Sequence, residues 1–125
     1  MNIPQELLYT SSHEWIEKLD NGNIRVGITD FAQQELGDLV FLELPQVGDP
    51  VFEGEAFADV ESVKAASEIY SPVNGTIAAV NEELMDDPGA VNADPYGAWF
   101  IEIKDASENS SLLDAREYED ILEEE

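Results

Sequence analysis

The chain has 125 residues, with 29 acidic side chains against five basic ones, a single histidine and no cysteine, for a formal charge of -24. That length suits one domain, and 43% apolar residues allow a modest core, which argues against a disordered acidic tail. With only Lys18, Arg25, Lys64, Lys104 and Arg116 to meet phosphate, nucleic acid and anionic membranes are poor partners, and the lack of cysteine excludes disulfides, thiolate nucleophiles and zinc ribbons.

No apolar run approaches the roughly 18 residues that cross a bilayer, and MNIPQELLYT lacks the character of a secretory signal or transit peptide, so a cytoplasmic protein is expected. Residues 13 to 29 read as a hairpin: Ile24, Val26 and Ile28 alternate with Arg25, Gly27 and Thr29 after the turn signal Asp20-Asn21-Gly22-Asn23. Asp30 then caps a two-turn helix, Phe31 to Leu36, with Gln33 at the capping-box position and Gly37 as its left-handed stop. Leu39 to Leu44 reads as a buried strand closed by Pro45 and the turn Val47-Gly48-Asp49-Pro50.

From Glu55 to Glu61, Ala56, Ala58 and Val60 alternate with the charged Glu55, Asp59 and Glu61, which predicts a strand with one wet face. Tyr70-Ser71-Pro72-Val73 leads through Asn74-Gly75 into Thr76 to Val80, a turn signal between two β-prone runs. A turn-rich segment with Pro88, Gly89 and Pro95 follows, and then a strand marked by Trp99, Ile101 and Ile103. Finally, Asp114 and Glu117 form a capping-box pair ahead of Tyr118, Ile121 and Leu122, so a short helix should lay one face on the sheet and its tail, Glu123 to Glu125, should fray.

Lys64 is the lone basic residue between Arg25 and Lys104, and it lies between two strand-like runs with Glu55, Asp59 and Glu61 on one side and Glu68 on the other. A lysine at a solvated hairpin tip offers an accessible amine with few competitors, as an enzyme attaching a prosthetic group to one chosen lysine requires. On composition alone, a surface lysine that relieves like-charge repulsion is the simpler reading.

The surrounding string shifts that balance. ESVKAASEIYSPVNG, from Glu61 to Gly75, resembles the lipoyl-lysine hairpin of the glycine cleavage H-protein family, and the likeness continues in YTSSHEW (9 to 15), VGITDFAQQELGD (26 to 38), LPQVGDPVFEG (44 to 54) and NADPYGAW (92 to 99). The family commonly has PYGxGW where this chain has the shorter PYGAW, Pro95 to Trp99.

The resemblance implies a mostly β fold, a flattened barrel or sandwich of the lipoyl-carrier type with short helices including a C-terminal one. It implies one carrier domain over residues 1 to 125, with the lysine hairpin at about 55 to 80 and a helical segment at about 110 to 125. It also implies lipoic acid bound covalently to Lys64, and no catalytic or metal-binding residues of the chain's own. The implied partners are a pyridoxal-phosphate-dependent glycine decarboxylase (P protein), a folate-dependent aminomethyltransferase (T protein), dihydrolipoyl dehydrogenase (L protein) and the lipoate-attaching enzyme, visited by a monomer.

Family positions for the cleft that shelters the loaded arm carry over to Ser12, Glu14 and Glu68, although the family usually has the shorter Asp in place of Glu68. Glu61, Gly54 and Gly75 carry over as residues that present the lysine or shape its hairpin; Gly54 and Gly75 flank Lys64 at 10 and 11 residues, and turn geometry is their simplest role. Lysine plus lipoyl spans on the order of 14 Å when extended, enough to enter a partner's cleft. The absence of cysteine would spare a dithiolane from mixed disulfides, or is an accident of composition. His13 is expected to satisfy a local hydrogen bond, and Trp15 and Trp99 to pack. Two other functions remain open at this level: a lipoyl carrier serving lipoyl relay or sulfur chemistry, and an unmodified acidic interaction module.

Overall fold

A computed structural model describes residues 1–124. Nine strands form two antiparallel sheets among these residues. The larger has six strands, in the order β1 (Leu8–Tyr9), β2 (Glu14–Lys18), β3 (Ile24–Ile28), β9 (Ile101–Lys104), β8 (Gly75–Val80) and β5 (Pro50–Val51). The smaller has β4 (Leu39–Glu43), β6 (Ala56–Ser62) and β7 (Ala66–Tyr70). The two sheets share one apolar core: Leu42, Val60 and Ile69 of the small sheet cluster with Val26, Ile28, Ile77, Ile101 and Ile103 of the large one. The result is an open sandwich rather than a closed barrel, because β5 and β1 end the large sheet without pairing to the small one.

The alternation in β6 holds at Ala58 and Val60, buried while Asp59 and Glu61 face water, but not at Ala56, which is exposed on the far side of a register shift. The 20–23 turn joins β2 to β3, closed by Leu19 N–H to Asn23 (2.9 Å) and Gly22 N–H to Leu19 (3.1 Å). The expectation for Asn74-Gly75 differs from what the fold does. β7 pairs only with β6, and β8 pairs with β5 and β9, so residues 71–74 carry the chain from one sheet to the other rather than closing a hairpin.

Four short helices complete the structure. α1 is Asp30–Leu36, and its cap is Thr29, not Asp30: the extended Thr29 hydroxyl accepts from Ala32 N–H at 3.2 Å. Asp30 instead enters the first turn, where its carboxylate accepts from Asn2 N–H (2.9 Å) and from the Gln33 and Gln34 amides (2.8 and 3.2 Å). Burial opposes the Asp30 carboxylate, but these donors win and hold it below the usual range.

The turn-rich stretch contains two helical turns, α2 (Glu83–Asp86) and α3 (Gly89–Ala93), which bury Leu84 and Val91. Pro88 stands immediately before α3, where a missing N–H costs nothing. α4 (Ala115–Glu123) has the full capping box of Asp114 and Glu117, and Tyr118 is completely buried. Glu124 follows as its C-cap, and Glu125 lies outside the described residues.

A second, smaller apolar cluster joins α4 to β1 and β2. Tyr118 stacks on Tyr9 with ring centroids 4.6 Å apart, beside Leu7, Trp15 and Ala115. Trp15 is buried, and its indole N–H donates to Pro95 O at 3.0 Å, so the short PYGAW segment is tied to β2. Trp99 is half-buried with the Arg25 guanidinium 4.5 Å over its ring.

Candidate functional site

Lys64 is exposed in the four-residue turn 62–65 that joins β6 to β7. The turn contains no glycine, and Ser62 organises it. The Ser62 hydroxyl accepts from the backbone N–H of Lys64 (3.1 Å) and Ala65 (3.0 Å), and Ser62 N–H donates to Ala65 O at 2.8 Å. A further bond comes from outside the hairpin, where Val63 N–H donates to Asp38 O at 3.0 Å. In β4, Leu39 pairs with Ser62 and Phe41 with Glu61, so Val40 is an extra residue, and the Val63–Asp38 bond continues the register of the Leu39–Ser62 pair beyond it.

The lysine stem then passes Gly37. A β-carbon built on Gly37 would sit 3.0 Å from Lys64 Cε, and Gly37 has φ 79, so a side chain there would be both strained and in the way. Gly37 ends α1, and α1 forms one wall of a groove of about 390 Å³. Phe31, Ala32, Glu35 and Leu36 line that wall, with Ser67, Glu68 and Ile69 of the edge strand β7 opposite and Ser12 and His13 contributing from the β1–β2 turn. The lysine therefore stands beside the C-terminal end of the helix that walls the groove, outside the residues that line it.

Of the three predicted cleft residues, Ser12 and Glu68 line this groove and Glu14 does not. Glu14 lies behind it with only 2% of its surface exposed. Its carboxylate accepts from the Thr10 and Ser12 hydroxyls, both at 2.6 Å, and from the backbone N–H of Tyr70, which stitches the edge of the small sheet to the β1–β2 turn. Burial raises the Glu14 carboxyl above its ordinary range, and these donors and nearby His13 counter only part of the effect. The arrangement offers a negative charge one hydroxyl away from the groove.

Comparison with known proteins decides the family. The model of the "Glycine cleavage H-protein" family matches residues 7–125. The chain belongs to the glycine cleavage H-protein family. It is 54% identical to the glycine cleavage system H protein of Shewanella sp. (strain ANA-3), over 99% of this chain and 98% of that protein. It is 49% identical to the protein of the same description from Lachnoclostridium phytofermentans, over 100% and 98%. Among solved structures, the glycine cleavage system H protein from Mycobacterium marinum superposes with a TM-score of 0.88 at 42% identity, covering 97% of this chain and 99% of that one.

The other H-protein positions singled out by sequence lie away from the groove. Glu61 is exposed and pairs across the small sheet with Phe41 and Ala66. Gly54 takes φ 82 in the turn at the base of the hairpin, where its N–H donates to Ser71 O at 2.8 Å. Gly75 serves packing rather than a turn, since a β-carbon there would lie 2.4 Å from Ile103 Cγ2 and 2.9 Å from the Lys104 carbonyl.

Several residues around this H-protein groove escape a reading of the sequence. Phe31 and Glu35 look like ordinary helix positions, and only the capped register of α1 turns them toward the groove. His13 has φ 73, packs its ring 4.6 Å from Phe31 and places Nδ1 2.8 Å from the Tyr118 hydroxyl. That hydroxyl also lies 2.7 Å from Thr29 Oγ1, so α4 braces the cap of α1. Asn92 of α3 bonds Gln33, Gly37 and Leu39 at once. A polar residue inside a helix-breaking stretch was the available signal for Asn92, but its partners lie more than fifty residues away.

Proposed function

We propose that Lys64 carries a lipoyl group through an amide to its Nζ, and that the chain is a carrier without catalytic residues of its own. It takes the aminomethyl group of glycine from the pyridoxal-phosphate-dependent decarboxylase to the folate-dependent aminomethyltransferase, and dihydrolipoyl dehydrogenase resets it. The bound dithiolane supplies a disulfide that accepts the one-carbon group as it is reduced and a dithiol that can be reoxidised. What carries this reading is the exposed Lys64 on a turn held from two sides, beside Gly37 at the end of the helix that walls the groove.

The residues suit that task. The Lys64 amine projects from a tip that a lipoate-attaching enzyme can approach without unfolding the hairpin. α1 has seven residues and so runs about 10 Å, comparable with the ~14 Å of the extended arm. Phe31, Leu36 and Ile69 would offer apolar contact to the arm, and Ser12 and Glu68 would supply polar contact to a cationic cargo, with the buried Glu14 behind Ser12. The chain works as a cytoplasmic monomer in this reading, and no described helix is long and apolar enough to cross a membrane.

Intact mass of protein from a lipoate-replete host tests the proposal. One lipoyl group is expected, confined to the peptide containing Lys64 and absent from Lys64→Arg. An unmodified wild-type chain, or a mass shift that survives Lys64→Arg, overturns it. Glycine-cleavage activity reconstituted with the three partner enzymes separates the glycine role from lipoyl relay or sulfur chemistry, because a carrier dedicated to those would support little glycine turnover.

A further inference from the structure

Beyond the pairing of Ser62 with Leu39, the lysine turn is joined to the rest of the fold by a backbone bond whose acceptor lies between two residues held by one side chain. Val63 N–H donates to Asp38 O at 3.0 Å. Asp38 is exposed and lies between Gly37 and Leu39. The Asn92 side chain grips both neighbours: its Oδ1 accepts from Leu39 N–H at 2.9 Å, and its Nδ2 donates to Gly37 O at 2.9 Å and to Gln33 Oε1 at 3.0 Å. Asn92 thus satisfies one donor and one acceptor in the two peptides that flank Asp38, and it uses the two faces of a single amide to do so.

We propose that Asn92 is a positioning residue for Lys64, acting through the Gly37–Leu39 loop to fix the direction in which the lysine leaves the hairpin. The inference rests on Lys64 being the attachment site. The local bonds of Ser62 close the turn but do not orient it against the rest of the fold, since all of them lie within residues 62–65. Orientation comes from Asp38 and from Gly37, whose backbone borders Lys64 Cε. The extra residue at Val40 shifts the register between Leu39 and Phe41, and beyond that shift Asn92 of α3 holds Leu39 N–H.

Asn92→Asp has the same shape, keeps an acceptor for Leu39 N–H and loses both donors, leaving a carboxylate against the Gly37 and Gln33 oxygens. A hydrogen bond of this kind is worth about a factor of five in a local equilibrium, and a binding-competent fraction reduced by that factor weakens apparent affinity by the same amount. With a purified lipoate-attaching enzyme, Asn92→Asp and the smaller Asn92→Ser are expected to raise KM for the carrier about fivefold with kcat nearly unchanged, because the amine itself is untouched. Amide hydrogen exchange at Val63 should speed up by a similar factor. Exchange at Ile77, bonded to Asp49 in the large sheet, should stay as in the wild type.

Gln33→Ala removes the helix-side partner of Asn92 and one donor to Asp30 while leaving both Asn92 bonds around Asp38, and should leave KM for attachment within about twofold of the wild type. The proposal is overturned if both Asn92 variants accept the group with wild-type KM, or if exchange rises at Val63 and Ile77 together, which would mark a general loss of stability. If the wild-type chain takes no lipoyl group, the reading of Lys64 fails instead, and unchanged Val63 exchange in the variants would still refute the hold of Asn92 on the turn.

Discussion

Two hairpin turns in this molecule have similar length and exposure but are built on different principles. The 19–23 turn closes its backbone from within, where Gly22 takes φ 88 and Asn21 Oδ1 accepts from Asn23 N–H at 2.9 Å, and its tie to β9 is a side-chain bond, Asn23 Nδ2 to Glu102 at 2.9 Å. The 62–65 turn has no residue at positive φ and draws its shape from a serine hydroxyl and its orientation from Asp38, on a different strand connection. A turn that only reverses the chain can rely on local preference, whereas a turn that must aim a side chain is tied to the scaffold. The β1–β2 turn stands between these cases, since Glu14 closes it locally through Thr10 and Ser12 and also reaches Tyr70 of the other sheet.

The largest difference between the turns should appear on Lys64→Arg, which is expected to abolish lipoyl attachment entirely in an intact-mass assay while leaving the melting temperature within error. Ser62→Ala comes next. It removes the acceptor for two backbone N–H groups and is expected to cost about 1–2 kcal/mol in chemical denaturation, with slower lipoyl attachment. Gly22→Ala should cost about 1 kcal/mol through its left-handed backbone yet leave attachment at the wild-type rate; a slowed attachment there would erase the contrast.

The smallest effect is expected at Glu14. Its folded carboxyl titrates above the ordinary value of 4.5, so the folded state holds its proton more tightly than the unfolded one. Glu14 therefore contributes a loss of stability as pH rises from about 4.5 through the raised folded value, and none of further change above it. The difference in stability between wild type and Glu14→Gln should drift across that window and level off above the raised folded value. A flat difference would show that the hydroxyl donors balance burial, and a drift of opposite sign that they outweigh it.

The same contrast explains what could be read from the chain beforehand. The 19–23 turn, the alternation in β3, β6 and β9, and the capping box of α4 are legible because their causes lie within a few residues. Lys64 was legible through a family string and not through physics, because nothing in ESVKAAS states that Asp38 would hold Val63. The cap of α1 was misplaced by one residue, since Thr29 and Asp30 are both good capping residues and the choice depends on Asn2 and Tyr118, far away in sequence. Asn74-Gly75 suggested a hairpin because the pair favours one locally, but Gly75 is needed where β9 crowds the backbone. Local chemistry was overridden wherever two sheets had to meet.

The bond between Tyr118 and Thr29 bears on when the protein becomes competent during synthesis. The ribosome releases the N-terminal end first, so α1 and the lysine turn emerge well before the residue that braces the α1 cap. A nascent or prematurely terminated chain ending ahead of α4 would display Lys64 beside an unfinished wall. The brace on the α1 cap is therefore complete only once α4 has been synthesised.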